Sequence, residues 1–157
     1  MPLFGRGRAS ADPVDPRLEA AIVASTDADR ADTLKTISGN QAAIQQMLEP
    51  GEEPVCVCWY NQRVRPNTLL VITNRRSVTL HKGTVMQQLP HDEVAEVTSW
   101  TMRDADGILV RIESTKSRLD YRPDDPDRML HIIQVEDVTP RVAEAIGAAI
   151  HSRLSAS

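Results

Sequence analysis

Leu69-Leu70-Val71-Ile72-Thr73-Asn74-Arg75-Arg76 sets four aliphatic residues ahead of a β-branched residue and a turn former. A short apolar run bounded by turn residues reads as a strand buried on both faces. Thr suits a strand end, and Asn accepts the left-handed backbone of a tight turn. The segment therefore predicts a strand over Asn67–Thr73, a turn at Asn74-Arg75 and a second strand over Ser77–His81. Arg75 or Arg76 can lay its aliphatic stem across such a sheet and donate hydrogen bonds to loop carbonyls, a structural role.

The same rhythm continues on both sides. Val55–Tyr60 reads as the preceding strand. Lys82-Gly83 makes a hairpin turn into Val85–Leu89, and Val94–Met102 is a longer strand. Ala105-Asp106-Gly107 carries the Asp-Gly hairpin signal. In Ile108–Glu113 the residues Ile108, Val110 and Ile112 alternate with Leu109, Arg111 and Glu113, as in a half-buried strand. Ser114–Ser117 turns into Leu119–Arg122, the seventh expected strand. Beyond it, Asp125-Pro126 can open a short helix through Met129, Ile132 and Ile133, while His131–Val135 reads equally as a strand. Thr139-Pro140 is an N-cap and first-turn pair. Val142, Ile146, Ala149, Ile150 and Leu154 then form one helical stripe.

Upstream, Asp15-Pro16 also caps a helix, and Leu18, Ala21 and Ile22 begin an apolar face. Thr26–Thr33 is polar and reads as a break or solvated turn. Leu34 and Ile37 resume the face, Gly39-Asn40 reads as a stop and restart, and Ala43, Ile44, Met47 and Leu48 close the segment before Pro50-Gly51. The chain divides into a mobile tail over residues 1–14, a helical segment over 15–50 and a sheet domain over 51–157.

Seven short antiparallel strands followed by one amphipathic helix is the element order of a pleckstrin-homology (PH) domain, and the Leu69–Arg76 run resembles the "apolar run, Thr, polar, Arg" signature of bacterial PH-like domains. Lys82-Gly83, Leu89-Pro90, and Asp92 followed by Val94 and Val97 fit the spacing that follows that signature. Glu52-Glu53 resembles the acidic lead-in to the first strand. The match spans roughly residues 52–154. It departs at Ser77, where a large apolar residue is common, and in the long approach over Pro126–Val138. The resemblance implies a mainly β α+β fold, a seven-stranded antiparallel barrel of orthogonal sheets capped by the C-terminal helix. It implies a non-enzymatic binding or scaffolding protein working through protein contacts or self-association, since exposed strand edges invite strand addition. The alternative is a peripheral module binding anionic lipid headgroups through basic loops.

The candidate ligand-binding residues are Arg63, Arg65, Arg75, Arg76 and Lys82. Arg63 and Arg65 share one face if the loop Asn61–Asn67 is extended, which Pro66 favours. Two adjacent guanidiniums call for an anion. Glu52, Glu53 or the Asp124–Asp127 cluster would answer them internally, and an acidic partner or lipid headgroup externally.

Composition narrows the function classes. Lys and Arg number 18 against 22 Asp and Glu, a net charge of −4, so no nucleic-acid partner is expected. Aromatics are 3% of the 157 residues, which leaves the core to aliphatic side chains. Only Lys35, Lys82 and Lys116 are lysines; this arginine bias fits a GC-rich genome. No Gly-rich phosphate loop or His-Glu-x-x-His pattern is present, and no cofactor, metal or catalytic group is expected. His81 and His91 flank one hairpin, close enough in sequence to approach each other. Cys56 and Cys58 read as small strand hydrophobes rather than a redox or metal element, and Asp120, Asp124, Asp125 and Asp127 as a solvated acidic loop. With no apolar run near the ~18 residues of a span, the chain is expected to be cytoplasmic, with peripheral membrane attachment as the lipid option.

Overall fold

A computed structural model describes residues 13–61, 65–102, 107–115 and 132–155. Helices α1 (Pro16–Ala20) and α2 (Asp27–Met47) come first. Strands β1 (Pro54–Tyr60), β2 (Thr68–Thr73), β3 (Arg76–His81) and β4 (Thr84–Pro90) follow. A 3-10 turn over His91–Glu93 leads to β5 (Val94–Thr101), β6 (Ile108–Ser114) and β7 (Ile132–Val138), and α3 (Pro140–Ser155) closes the chain. One sheet runs β1-β2-β3-β4 and the other β5-β6-β7, all antiparallel. Two antiparallel sheets with a C-terminal helix form the PH-like α+β arrangement that the element order implies.

The inner faces of both sheets and α3 share one core. Cys56, Cys58, Leu70 and Ile72 from the first sheet meet Val110, Ile112, Ile133 and Val135 from the second, and Val142, Ile146 and Ile150 from α3 fill the space between them. The period-2 pattern of β1 and β2 explains the second cluster. Val57, Leu69, Val71, Val78 and Leu80 face outward and are covered by Leu18, Ile37 and Ile44 of α1 and α2. β2 is thus buried on both faces, as the unbroken Leu69–Ile72 run anticipates.

The N-terminal segment does more than lie on that sheet. Val23 N–H donates to the Val57 carbonyl and Val57 N–H donates to the Ala21 carbonyl, so residues 21–23 occupy the free edge of β1. The helical break therefore falls between α1 and Thr26, not across Thr26–Thr33. Thr26 caps α2 by accepting from the Asp29 amide.

Gly39-Asn40 does not stop the helix; α2 runs straight through it. A helical Gly costs about 1 kcal/mol relative to Ala, and burial of Ile37 and Ile44 on either side outweighs that cost. Asn40 serves as a tether: its amide donates to the Thr36 carbonyl while its Oδ1 accepts from Gly83 N–H at 2.7 Å. Of the two readings of the segment after Asp125-Pro126, the strand is the one present, over Ile132–Val138. Ile133 and Val135 alternate inward and pair with Ile112 and Val110 of β6, a partner that a helix could not supply. The strand expected at Leu119–Arg122 lies outside the described residues, as do the tail up to residue 12 and the carboxylates at 120–127. No helix among the described residues is long and apolar enough to cross a membrane.

Candidate binding site

The Thr73–Arg76 turn is a knot that fastens the α2–β1 connection. Thr73 Oγ1 donates to Glu52 Oε2 at 2.7 Å and accepts from the Arg75 and Arg76 amides. Asn74 accepts from the Glu53 amide and donates to the Gly51 carbonyl. Arg75 reaches Glu49 Oε2 at 3.0 Å and the Pro50 carbonyl at 3.1 Å. Arg76 donates to both Glu52 oxygens, to Gln88 and to the Met47 carbonyl at the end of α2. Burial alone would push the Glu52 carboxyl up, but the hydrogen bonds from Arg76, Thr73 and the Glu49 amide outweigh it and hold the group at about 2. Arg75 and Arg76 thus spend their donors on loop carbonyls and carboxylates of their own chain.

The other basic candidates sit at the opposite end of the sheet. β1 is seven residues long, so Asn61 at its far end stands about 20 Å from Glu52 and Glu53. Those carboxylates do not answer Arg65: Glu52 holds Arg76, and Glu53 lies 3.7 Å from Arg17. Arg63 is outside the described residues, and Arg65 is exposed. Lys82, in the β3–β4 turn, shares that end of the sheet. It lines a pocket of about 240 Å³ with Lys35, Thr36, Asn40 and Asn67. The four candidates among the described residues therefore stand at two separate places. Arg75 and Arg76 knot one end, while Arg65 and Lys82 stand at the other. Lys35 was not legible as a candidate, because it lies in a helix outside the family resemblance.

A larger cavity, about 530 Å³, runs between β5, β6 and α3. Val97, Ile108 and Val110 form its floor, Ala143, Gly147 and Ala148 its helical wall, and Glu144 and His151 its rim. Among the described residues β5 is an end strand paired only with β6, which leaves half of its backbone donors and acceptors without a ladder partner there. A Cβ built on Gly147 would meet nothing within 4 Å. That helical glycine was the one sequence signal for the groove, since glycine in a helix interior asks for a packing reason.

The remaining residues belong to packing. Cys56 and Cys58 are free, buried thiols on the inner face of β1, and burial pushes the Cys56 thiol up to about 12. His81 and His91 do not approach each other. The β3–β4 register puts His81 at the hairpin turn and His91 past the far end, where its Nε2 lies 3.4 Å from Ser77 Oγ. Among the described residues no group of three or more His, Cys, Asp or Glu is arranged to hold a metal ion.

Among solved structures the chain is similar to the Vps36 N-terminal PH domain, at 12% sequence identity over 69% of this chain and 86% of that chain, with a TM-score of 0.47. No protein-family model and no curated protein matches the sequence.

Proposed function

We propose that the chain is a bacterial PH-like protein that acts as a non-enzymatic binding module, taking up an extended segment of a protein partner beside β5. The observation that carries this reading is a strand edge with no partner among the described residues, together with an apolar groove of about 530 Å³ along it. Strand addition needs both parts, since main-chain hydrogen bonds supply affinity and pockets for alternate side chains supply selectivity.

The other edges are less suited. Residues 21–23 occupy the β1 edge. β4 is interrupted by a bulge and ends in Pro90, both of which discourage pairing. β7 carries Glu136 and Asp137 just before its last residue, the latter at a φ of 56°. From Glu96 to Thr101, β5 keeps unbroken register with β6. The small residues on α3 leave room for side chains, so the groove suits an extended segment with small apolar residues at alternate positions.

Selection from a displayed library of linear 12-residue peptides tests the reading. Wild type is expected to enrich such segments, and Gly147→Leu, which fills the groove with a better helix former, is expected to lose them while remaining folded. Failure of wild type to enrich any peptide, or equal binding by Gly147→Leu, contradicts strand capture at β5.

A further inference from the structure

We infer, resting on strand capture at β5, that the segment taken up there is basic and amphipathic: it sets a lysine or arginine beside Glu96 and a large apolar or aromatic residue beside Trp100. The register divides β5 between two faces. Val97 and Ser99 stand opposite Ile112 and Val110 of β6. Both of those partners are buried in the shared core, so Val97 and Ser99 belong to the inner face, with the groove. Glu96, Thr98 and Trp100 stand opposite Glu113, Arg111 and Leu109 and so belong to the outer face. The residues of an added strand alternate as those of β5 do. Such a strand must therefore suit both faces, and the groove specifies only one of them.

The outer face specifies charge. Glu96 and Glu113 are directly opposed across the β5–β6 ladder, and like charges so placed destabilise the pair. Glu113 has an answer on its own strand, Arg111 at 3.7 Å. Glu96 is exposed, and no salt bridge among the described residues includes it. On its other side lies the free edge of β5, where a neighbouring strand would bring a side chain to within about 5 Å, Cβ to Cβ. A lysine or arginine there would balance the excess negative charge that the β5–β6 pair leaves at Glu96. The groove does not oppose this choice: its lining holds one carboxylate, Glu144, and no lysine or arginine. The net charge of −4 also draws a basic segment toward the chain.

Trp100 fixes the spacing. It is the one exposed large hydrophobic side chain among the described residues, at 45%. The Arg111 guanidinium lies 4.9 Å from the centroid of its ring, a cation–π contact that holds the indole in place on the outer face. An aromatic or β-branched residue beside it on an added strand makes one of the stabilising cross-strand pairs. Glu96 and Trp100 are four residues apart on one face, so the residues that answer them are four apart as well, whether the added strand runs parallel or antiparallel. Between them, beside Val97 and Ser99, fall the small apolar residues that enter the groove. Beside Thr98 falls a polar one.

A charge-swap cycle tests the assignment. The 12-residue peptides enriched by the full-length wild type at low ionic strength, where screening is weakest, are sequenced, and one of them is labelled and titrated by fluorescence anisotropy. The enriched set is expected to carry lysine or arginine four positions from a large apolar or aromatic residue. Exchanging the basic residue of the peptide for glutamate, or Glu96→Lys in the protein, should each weaken binding by about fivefold or more, and Glu96→Gln by about twofold to fivefold. The doubly exchanged pair should recover most of the loss, a coupling that a merely structural role for Glu96 would not produce. Glu96 is exposed, so both of its variants are expected to melt as wild type does. Peptides that wild type enriches and Gly147→Leu loses, but that carry no basic residue at that spacing or show no recovery in the double exchange, overturn the basic partner and leave strand capture standing. A wild type that enriches no peptide overturns both.

Discussion

The Glu52 carboxylate and the Arg76 guanidinium meet in two parallel hydrogen bonds, Nε to Oε2 and Nη2 to Oε1, each 2.8 Å long. The Glu52 side chain is fully shielded, and 18% of the Arg76 side chain is exposed. A third Arg76 contact, to the Met47 carbonyl, ties the end of α2 into the same pair. One residue from the fold-deciding turn thus joins the sheet, the helix and the linker between them.

Removing one partner of so enclosed a pair leaves the other charge stranded. Arg76→Ala is expected to cost about 3–5 kcal/mol, read from urea denaturation. Arg75→Ala should cost no more than about 1 kcal/mol, because the Arg75 and Glu49 side chains are 47% and 63% exposed. Equal costs at the two positions would show that the enclosed pair is not what fastens the linker.

The same pair sets an acid limit. The Glu52 carboxyl is held at about 2 in the fold against an ordinary 4.5. A folded value below the unfolded one means that the stabilisation is complete above about pH 4.5 and drains away as pH falls toward 2. The contribution is on the order of 2–3 kcal/mol. Denaturation midpoints from pH 6 to pH 2.5 should decline in wild type, and Glu52→Gln should remove that part of the slope. An unchanged slope in the variant would assign the acid sensitivity to other carboxylates.

Ile37 and Ile146 fill the two clusters on opposite sides of the first sheet, each with no solvent exposure. Ile37→Ala and Ile146→Ala should each cost about 2–5 kcal/mol. Because they share no neighbours within either cluster, the double variant should show close to the sum. A negligible cost for Ile37→Ala would mean that α2 merely rests on the sheet.

Much of this fold was legible because strand signals are local. The Leu69–Ile72 run, the Lys82-Gly83 turn and the alternation from Ile108 to Glu113 each declare a strand within a few residues. The stripe from Val142 to Ile150 declares a helix in the same way. What escaped depends on distant partners. Gly39-Asn40 carries a helix-stop composition, and only the packing of Ile37 and Ile44 with the Asn40–Gly83 bond keeps α2 continuous. Ile132–Val138 became a strand because β6 offered it an edge.

The functional surfaces were harder to read for the same reason. Arg76 was visible in sequence, but its partners Glu52 and Met47 lie 24 and 29 positions away. Lys35 and Lys82 line one pocket because α2 folds back across the sheet. The groove beside β5 had a single herald, the glycine at position 147.

Amide hydrogen exchange across Val94–Thr101, with and without a peptide enriched by wild type, measures strand capture most directly. An added strand would bond to the outward-facing amides of β5. The prediction is peptide-dependent slowing of exchange in Val94–Thr101, absent in Gly147→Leu. Slowing confined to other strands, with β5 exchanging at its free rate, would contradict β5 as the binding edge.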